Sequence, residues 1–176
     1  MTRTMFRKYI ASPDDKGEVQ RVGVLPSRIG GDGQRKVLLV TAPGREQWVV
    51  PNGSIEEENL LAAASRHAFK VAGIIGDISP DPVISYRYIK AYSDESQLVS
   101  CVTIFAMNVR GTLTHWREKA HRKRRWFSLQ SAADRLGDIA LADFVRKLET
   151  DPGCFGARRR SDNLILRLSE RRGSGV

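Results

Sequence analysis

One helical stretch interrupts a chain otherwise written largely in strands. From Asn59 the sequence NLLAAASRHAFKVAG puts Leu60, Ala64, Ala68 and Val71 on one helical face, and Gly73 stands where helices commonly stop in the left-handed conformation. Ahead of it, QRVGVLPSR alternates apolar and polar residues, GGDG supplies turn chemistry, and RKVLLVT resumes a β-rich run, which together read as a hairpin. WVVP follows as a short buried strand leading into a glycine loop at Gly53. The order is strand, glycine loop, helix, with the helix expected over about Asn59 to Ala72. After it, PVISYRYIKAY and QLVSCVTIFAMNV are long β-branched and aromatic runs separated by SDES, the pattern of a second antiparallel pair.

The chain then changes character. WREKAHRKRRWF is a basic segment bounded by aromatic residues, Ser128 is placed to cap a helix over SLQSAADRL, and ALADFVRKLE is amphipathic, with Leu141, Phe144, Val145 and Leu148 on one side until DPG ends it. Beyond Pro152 the arginine-rich GARRRSDNLILRLSERRGSGV carries one apolar cluster, and either stays unfolded or docks on a partner. The organisation that follows is an N-terminal arm over 1–17, one domain over 18–150 and a basic tail over 151–176.

Lys and Arg total 29 against 20 Asp and Glu, a formal charge of +9, so the average field attracts polyanions: nucleotides, inositol phosphates, polyphosphate, RNA or acidic membranes. Cys101 lies in an apolar run and Cys154 beside a Pro-Gly turn, with no ligand-like spacing to histidine, so both read as free thiols. MTRTMFRKYI lacks the apolar centre of a signal peptide, and no stretch approaches the roughly 20 apolar residues of a membrane span. The expectation is a soluble protein in a reducing, cytoplasmic setting, with no membrane partner.

Three segments resemble the Nudix hydrolases: the hairpin VGVLPSRIGGDGQRKVLLVT, the segment QWVVPNGSIEEEN and the segment HWREKAHRKRRWFSLQSAA. The resemblance spans about residues 18 to 150 and implies an α+β fold, an α/β/α sandwich with a central mixed sheet. The last two segments are similar to the branch that cleaves diphosphoinositol polyphosphates and dinucleoside polyphosphates, in which W-x-x-P-x-G and R-K-R-x-W-F recur. The family's box reads G, five residues, E, seven residues, R-E-U-x-E-E-x-G-U, with U aliphatic. Gly53, Arg66, Ala68, Gly73 and Ile74 match it, and deletion of one loop position puts Glu58 in place of the first glutamate. The three following carboxylate positions hold His67, Lys70 and Val71.

Those exchanges decide what the resemblance implies. Phosphoanhydride hydrolysis in this family relies on Mg²⁺ or Mn²⁺, hard cations that take oxygen ligands, and carboxylates three and four residues apart on a helix converge on one point. His67 offers a nitrogen Mg²⁺ uses poorly, Lys70 a charge of the wrong sign, and Val71 nothing, so no cofactor is expected at this box. Glu56, Glu57 and Glu58 lie in the loop and first helical turn, where they read as a solvated helix start favoured by the dipole, or as relocated acids. Glu118 falls where family members often supply a further carboxylate, and Arg66 where the family braces its helix. The catalytic candidates, if chemistry survives, are therefore Glu57, Glu58, Glu118 and Arg66.

Candidates for contact with a phosphorylated anion are Arg28, Arg45, His67, Lys70, Arg122 and Arg124. Lys70 either pairs with a phosphate oxygen or is a surface lysine, and His67 is a site group or an imidazole without a role. In place of the arginine that related sequences often carry just ahead of Arg45, this chain has Pro43. The run Arg117, Lys119, Arg122, Lys123, Arg124 and Arg125, bounded by Trp116 and Trp126, reads as a polyphosphate groove, an RNA contact or a solvated face. Three functions remain open: a Nudix-fold module that binds anions with weak or no hydrolysis, a pyrophosphohydrolase with Mg²⁺ or Mn²⁺ held by Glu56, Glu57, Glu58 and Glu118, and a nucleic-acid-associated basic protein.

Overall fold

A wedge organises the sheet. The computed structural model describes residues 18–56, 59–91 and 97–155, so the expected arm, the SDES turn and nearly all of the basic tail lie outside the described residues. Strands β1 (Glu18–Ile29) and β2 (Arg35–Thr41) form the expected hairpin, but they pair with each other only from Ser27 to Ile29 and from Arg35 to Val37. Further along, β3 (Trp48–Val49) pairs with β2 while β4 (Asn52–Ser54) pairs with β1, both antiparallel. The segment carrying Gly53 is thus a strand inserted between the diverging arms of the hairpin. The glycine loop expected there does not form, because Gly53 takes a ladder position opposite Val22.

Strands β5 (Ile74–Ala91) and β6 (Gln97–Thr112) make the second antiparallel pair, and β6 runs parallel to β1 from Glu18 to Ser27. Strand β7 (Arg124–Ser128) adds to the outer edge of β2, completing a mixed sheet of seven strands. Helix α1 (Leu60–His67), continued by a π-turn over Ala68–Ala72, covers one face, and α2 (Leu129–Arg135) with α3 (Ile139–Thr150) covers the other. That is the sandwich the sequence implied. Among the described residues no helix is long and apolar enough to cross a membrane.

Alternation along β2 explains the two layers. Val37 and Leu39 enter the core beneath α2 and α3 with Leu25, Ile104 and Phe127, while Leu38 and Val40 enter the core beneath α1 with Val22, Val24 and Phe105. All four β2 residues are fully buried, as a strand covered on both faces requires. Helix α1 and the π-turn that continues it meet the sheet through Ala63, Ala64, Ala68 and Ala72, each fully buried. Small side chains bring its backbone close to the sheet. Asn59 accepts hydrogen bonds from the Leu61 and Ala62 amides at 3.1 and 3.2 Å, starting the helix, and Ser128 and Asp138 cap α2 and α3 in the same way. Glu56 precedes the Asn59 cap and the first turn of α1 holds no acidic residue, which corrects the placement of an acidic start inside that turn.

Leu39→Ala should lower stability by about 2–5 kcal/mol, the range for truncating a fully buried leucine, whereas Ile139→Ala, at a site 78% exposed, should stay within about 0.5 kcal/mol. Urea unfolding of the two variants checks both values, and similar losses would contradict the two-layer core.

Candidate functional site

The end of α1 determines everything around it. Gly73 turns the chain in the left-handed region, at φ 59° and ψ 43°, and its N–H reaches back to the carbonyls of Ala68 and Phe69. The wider π-turn is the form this closure takes, which is why the regular α-helix stops at His67 short of the expected Ala72. A Cβ at Gly73 would meet Trp116 Cβ at 2.7 Å, so glycine is required twice over, by its dihedral and by the indole laid against it.

The last carbonyls of a helix have no partner within it. Here the segment 113–124 supplies one for each: the Glu118 amide donates to Lys70 O at 3.3 Å, Trp116 Nε1 to Val71 O at 3.1 Å, Arg124 Nη1 to Ala72 O at 2.7 Å, and the Leu113 amide to Gly73 O at 2.7 Å. Arg124 also donates to Gly73 O at 3.2 Å and Leu113 O at 3.1 Å, and lies over the Trp116 ring at 4.0 Å. Its positive charge complements the helix C-terminus, and burial lowers its pKa from the ordinary arginine value. Expected as a ligand contact, Arg124 is placed as a brace, its Nη groups directed at main-chain oxygens.

Glu118 is held between two cations. Arg122 Nε donates to its Oε2, and Lys70 Nζ lies 3.9 Å from its Oε1. Arg122, with a side chain only 10% exposed, also donates from Nη1 to Thr41 O at 3.0 Å. His67 is 8% exposed, and its Nε2 donates to Ser54 O at 2.9 Å; a Cβ on Gly53 would sit inside the imidazole ring. The histidine therefore joins the helix to β4. Arg66 is half-buried on α1 and engaged with a partner, Glu56 is exposed, and Glu57 and Glu58 lie outside the described residues.

These residues do not fit a divalent cation at positions 67, 70 and 71. The imidazole Nε2 is committed to a carbonyl, Lys70 brings an ammonium group to Glu118, and Val71 is a buried core residue. Among the described residues no three His, Cys, Asp or Glu side chains gather as a metal-holding group.

Beside Arg122 opens a shallow recess of about 380 Å³, lined by Arg45, Lys119, His121, Arg122 and Lys123, with Glu46 its one acidic lining residue. Thr41 also lines it, the hydroxyl accepting from the Lys123 amide at 2.9 Å. The structure thus gathers Arg45 with Arg122, and Arg122 with Glu118 and Lys70. Arg28 stands apart, its guanidinium over the Trp126 ring at 4.0 Å. Lys119 and Lys123 of the basic run complete the recess, together with His121, which the sequence did not single out. Cys101 is a buried free thiol, its pKa raised by desolvation and then by Glu18.

A sequence profile of the NUDIX domain matches residues 19–148. This chain belongs to the Nudix family. It is 32% identical over 124 residues to Nudix hydrolase 12, mitochondrial, of Arabidopsis thaliana, a match covering 66% of this chain and 61% of that protein. Over 175 residues it is 26% identical to the human diphosphoinositol polyphosphate phosphohydrolase NUDT4B, covering 93% of this chain and 91% of that one. The fold is also that of the NUDIX domain of Shewanella oneidensis NrtR, solved in complex with ADP ribose, at a TM-score of 0.58 and 16% identity over 84% of this chain and 98% of that one. In this Nudix chain the seam between the box helix and the segment 113–124 is built from Trp116, Glu118 and Arg124.

Arg124→Met leaves the carbonyls of Ala72 and Leu113 without this donor, while Gly73 O keeps the Leu113 amide, and should cost about 1–3 kcal/mol. Arg124→Lys should recover only part, since an ammonium lacks the planar fork. Thermal unfolding of the pair checks this; equal stability of Met, Lys and Arg at 124 would exclude the bracing role.

Proposed function

We infer that this protein is a Nudix-fold binder of phosphorylated anions, of the nucleoside or inositol polyphosphate phosphohydrolase type, with weak or absent hydrolysis. The observation that carries the reading is the pairing of Lys70 with Glu118: the carboxylate that could serve a metal faces an ammonium group from the box helix. A Nudix site without its Lewis acid lacks both the charge neutralisation and the activated water that phosphoanhydride cleavage needs. The cations of the recess support the binding half of the reading, because Arg45, Lys119, Arg122 and Lys123 bring positive charge to one concave surface against the single carboxylate of Glu46. The ion pair of Lys123 with Glu46, at 3.5 Å between highly exposed side chains, is too solvated to cancel that field. The similarity to a diphosphoinositol polyphosphate phosphohydrolase and to an ADP-ribose-binding NUDIX domain points to small polyphosphorylated ligands rather than to RNA. A cytoplasmic setting is part of the proposal.

The test is an assay of diphosphoinositol polyphosphates, dinucleoside polyphosphates and nucleoside triphosphates with Mg²⁺ and Mn²⁺, beside the variant His67→Glu, Lys70→Glu, Val71→Glu. The unmodified chain should turn over at least about a thousandfold more slowly than an intact site, since metal and activated water are lost together. It should nonetheless be stabilised thermally by one or more of these anions, less so as salt rises. Rapid metal-dependent turnover overturns the reading and directs attention to Glu56, Glu57, Glu58 and Glu118. Salt-sensitive RNA binding without stabilisation by any small anion would favour the basic segment as a nucleic-acid contact.

A further inference from the structure

The pair Lys70 and Glu118 is more than two side chains that happen to meet. The Glu118 amide donates to the Lys70 carbonyl at 3.3 Å, so the two residues are joined through their main chains before their side chains approach to 3.9 Å. Trp116 Nε1 on Val71 O fixes the adjacent residue of each segment as well. On the far side of the carboxylate, Arg122 is anchored by Thr41 O and is almost wholly buried. An anchored cation, Arg122, and a partly exposed one, Lys70, thus flank one anion, a local excess of one positive charge.

We propose that Lys70 is a resident counter-ion, a covalently attached cation that occupies the charge position beside Glu118 and excludes divalent metal from it. The proposal rests on the anion-binding reading only for its tripolyphosphate arm. A divalent cation approaching Glu118 meets two positive charges and has to displace the ammonium group, while a phosphorylated anion meets a surface whose sign already suits it. Glu118 therefore acts here as the opposite of a metal ligand: its carboxylate holds Arg122 and offsets part of the charge that Lys70 and Arg122 present. Lys70 is a binding residue for the anion, and Glu118 attenuates its charge.

The two roles of Glu118 predict opposite signs. If the carboxylate held a metal that bridges to the ligand, Glu118→Gln would weaken anion binding. With a resident lysine, Glu118→Gln frees one unit of positive charge, and the affinity for inorganic tripolyphosphate measured with Mg²⁺ present, where a bridging metal would make it fall, should rise roughly two- to fivefold, the range that a partly exposed ion pair corresponds to. A fall in affinity in that variant, folded by circular dichroism, overturns the proposal. The other arm uses Mn²⁺ alone, without any anion. The unmodified chain should bind no Mn²⁺ at this place, Lys70→Glu should acquire a site detectable by electron paramagnetic resonance or calorimetry, and adding Glu118→Gln to Lys70→Glu should remove it. Mn²⁺ binding by the unmodified chain that is lost on Glu118→Gln contradicts the proposal, as does a folded Lys70→Glu variant that binds none. If the unmodified chain fails to bind tripolyphosphate at all, it is the anion-binding function that falls, and the Mn²⁺ arm still decides the role of Lys70.

Discussion

Capture of the carbonyls at the end of the box helix is the contact on which the rest depends. Lys70, Val71, Ala72 and Gly73 each present an oxygen that the helix cannot use, and each is met by a donor from one continuous segment. Those donors are two main-chain amides, an indole and a guanidinium, three chemistries that fit only if the segment 113–124 folds back over Gly73 in one register. Once it does, β7 starts at Arg124, and Trp126 falls into the layer beneath α1 while Phe127 falls into the opposite layer. Lys70 and Glu118 meet because the same seam brings them together.

The seam also sorts the basic run. Arg122 and Arg124 face inward, one on Glu118 and Thr41, the other on the helix end, while Arg117, Lys119, Lys123 and Arg125 are exposed. A run that reads as one continuous patch of charge is therefore two sets of side chains with different tasks. The inward pair relieves buried oxygens, where each donor counts because an unpaired carbonyl away from water is costly. The outward set remains in solvent, where contacts such as Lys119 on Thr114 O and Lys123 with Glu46 are exposed and its main contribution is a field.

Much of this was legible in the sequence, and the limits of legibility have physical causes. The hairpin, the second strand pair, the capped helices and the glycine stop follow from periodicity and local backbone preference, which act within a few residues. The insertion of β4 between β1 and β2 does not: Gly53 reads as loop because glycine is poor in strands, and only the His67 ring lying against it explains why a ladder position should have no side chain. Strand alternation did carry an unused signal, since Arg124 and Trp126 share a parity within β7, and Trp126 belongs with the α1 layer. That parity turns Arg124 towards the helix end. The partnership of Lys70 with Glu118 joins residues 48 positions apart and has no local signature.

The parallel pairing of β1 with β6 has a consequence for how the chain assembles. Glu18 lies opposite Val99 and Ser27 opposite Asn108, so the first strand waits for partners on the order of 80 residues downstream, a separation that slows folding through the entropy of closing so large a loop. During synthesis the hairpin of β1 and β2 can close early, but one long edge of β1, bearing Val22, Val24 and Leu25, stays open until β6 has left the ribosome. The central strand of the finished sheet is thus an open edge of the nascent chain, and for that interval it is a place where a second molecule could add.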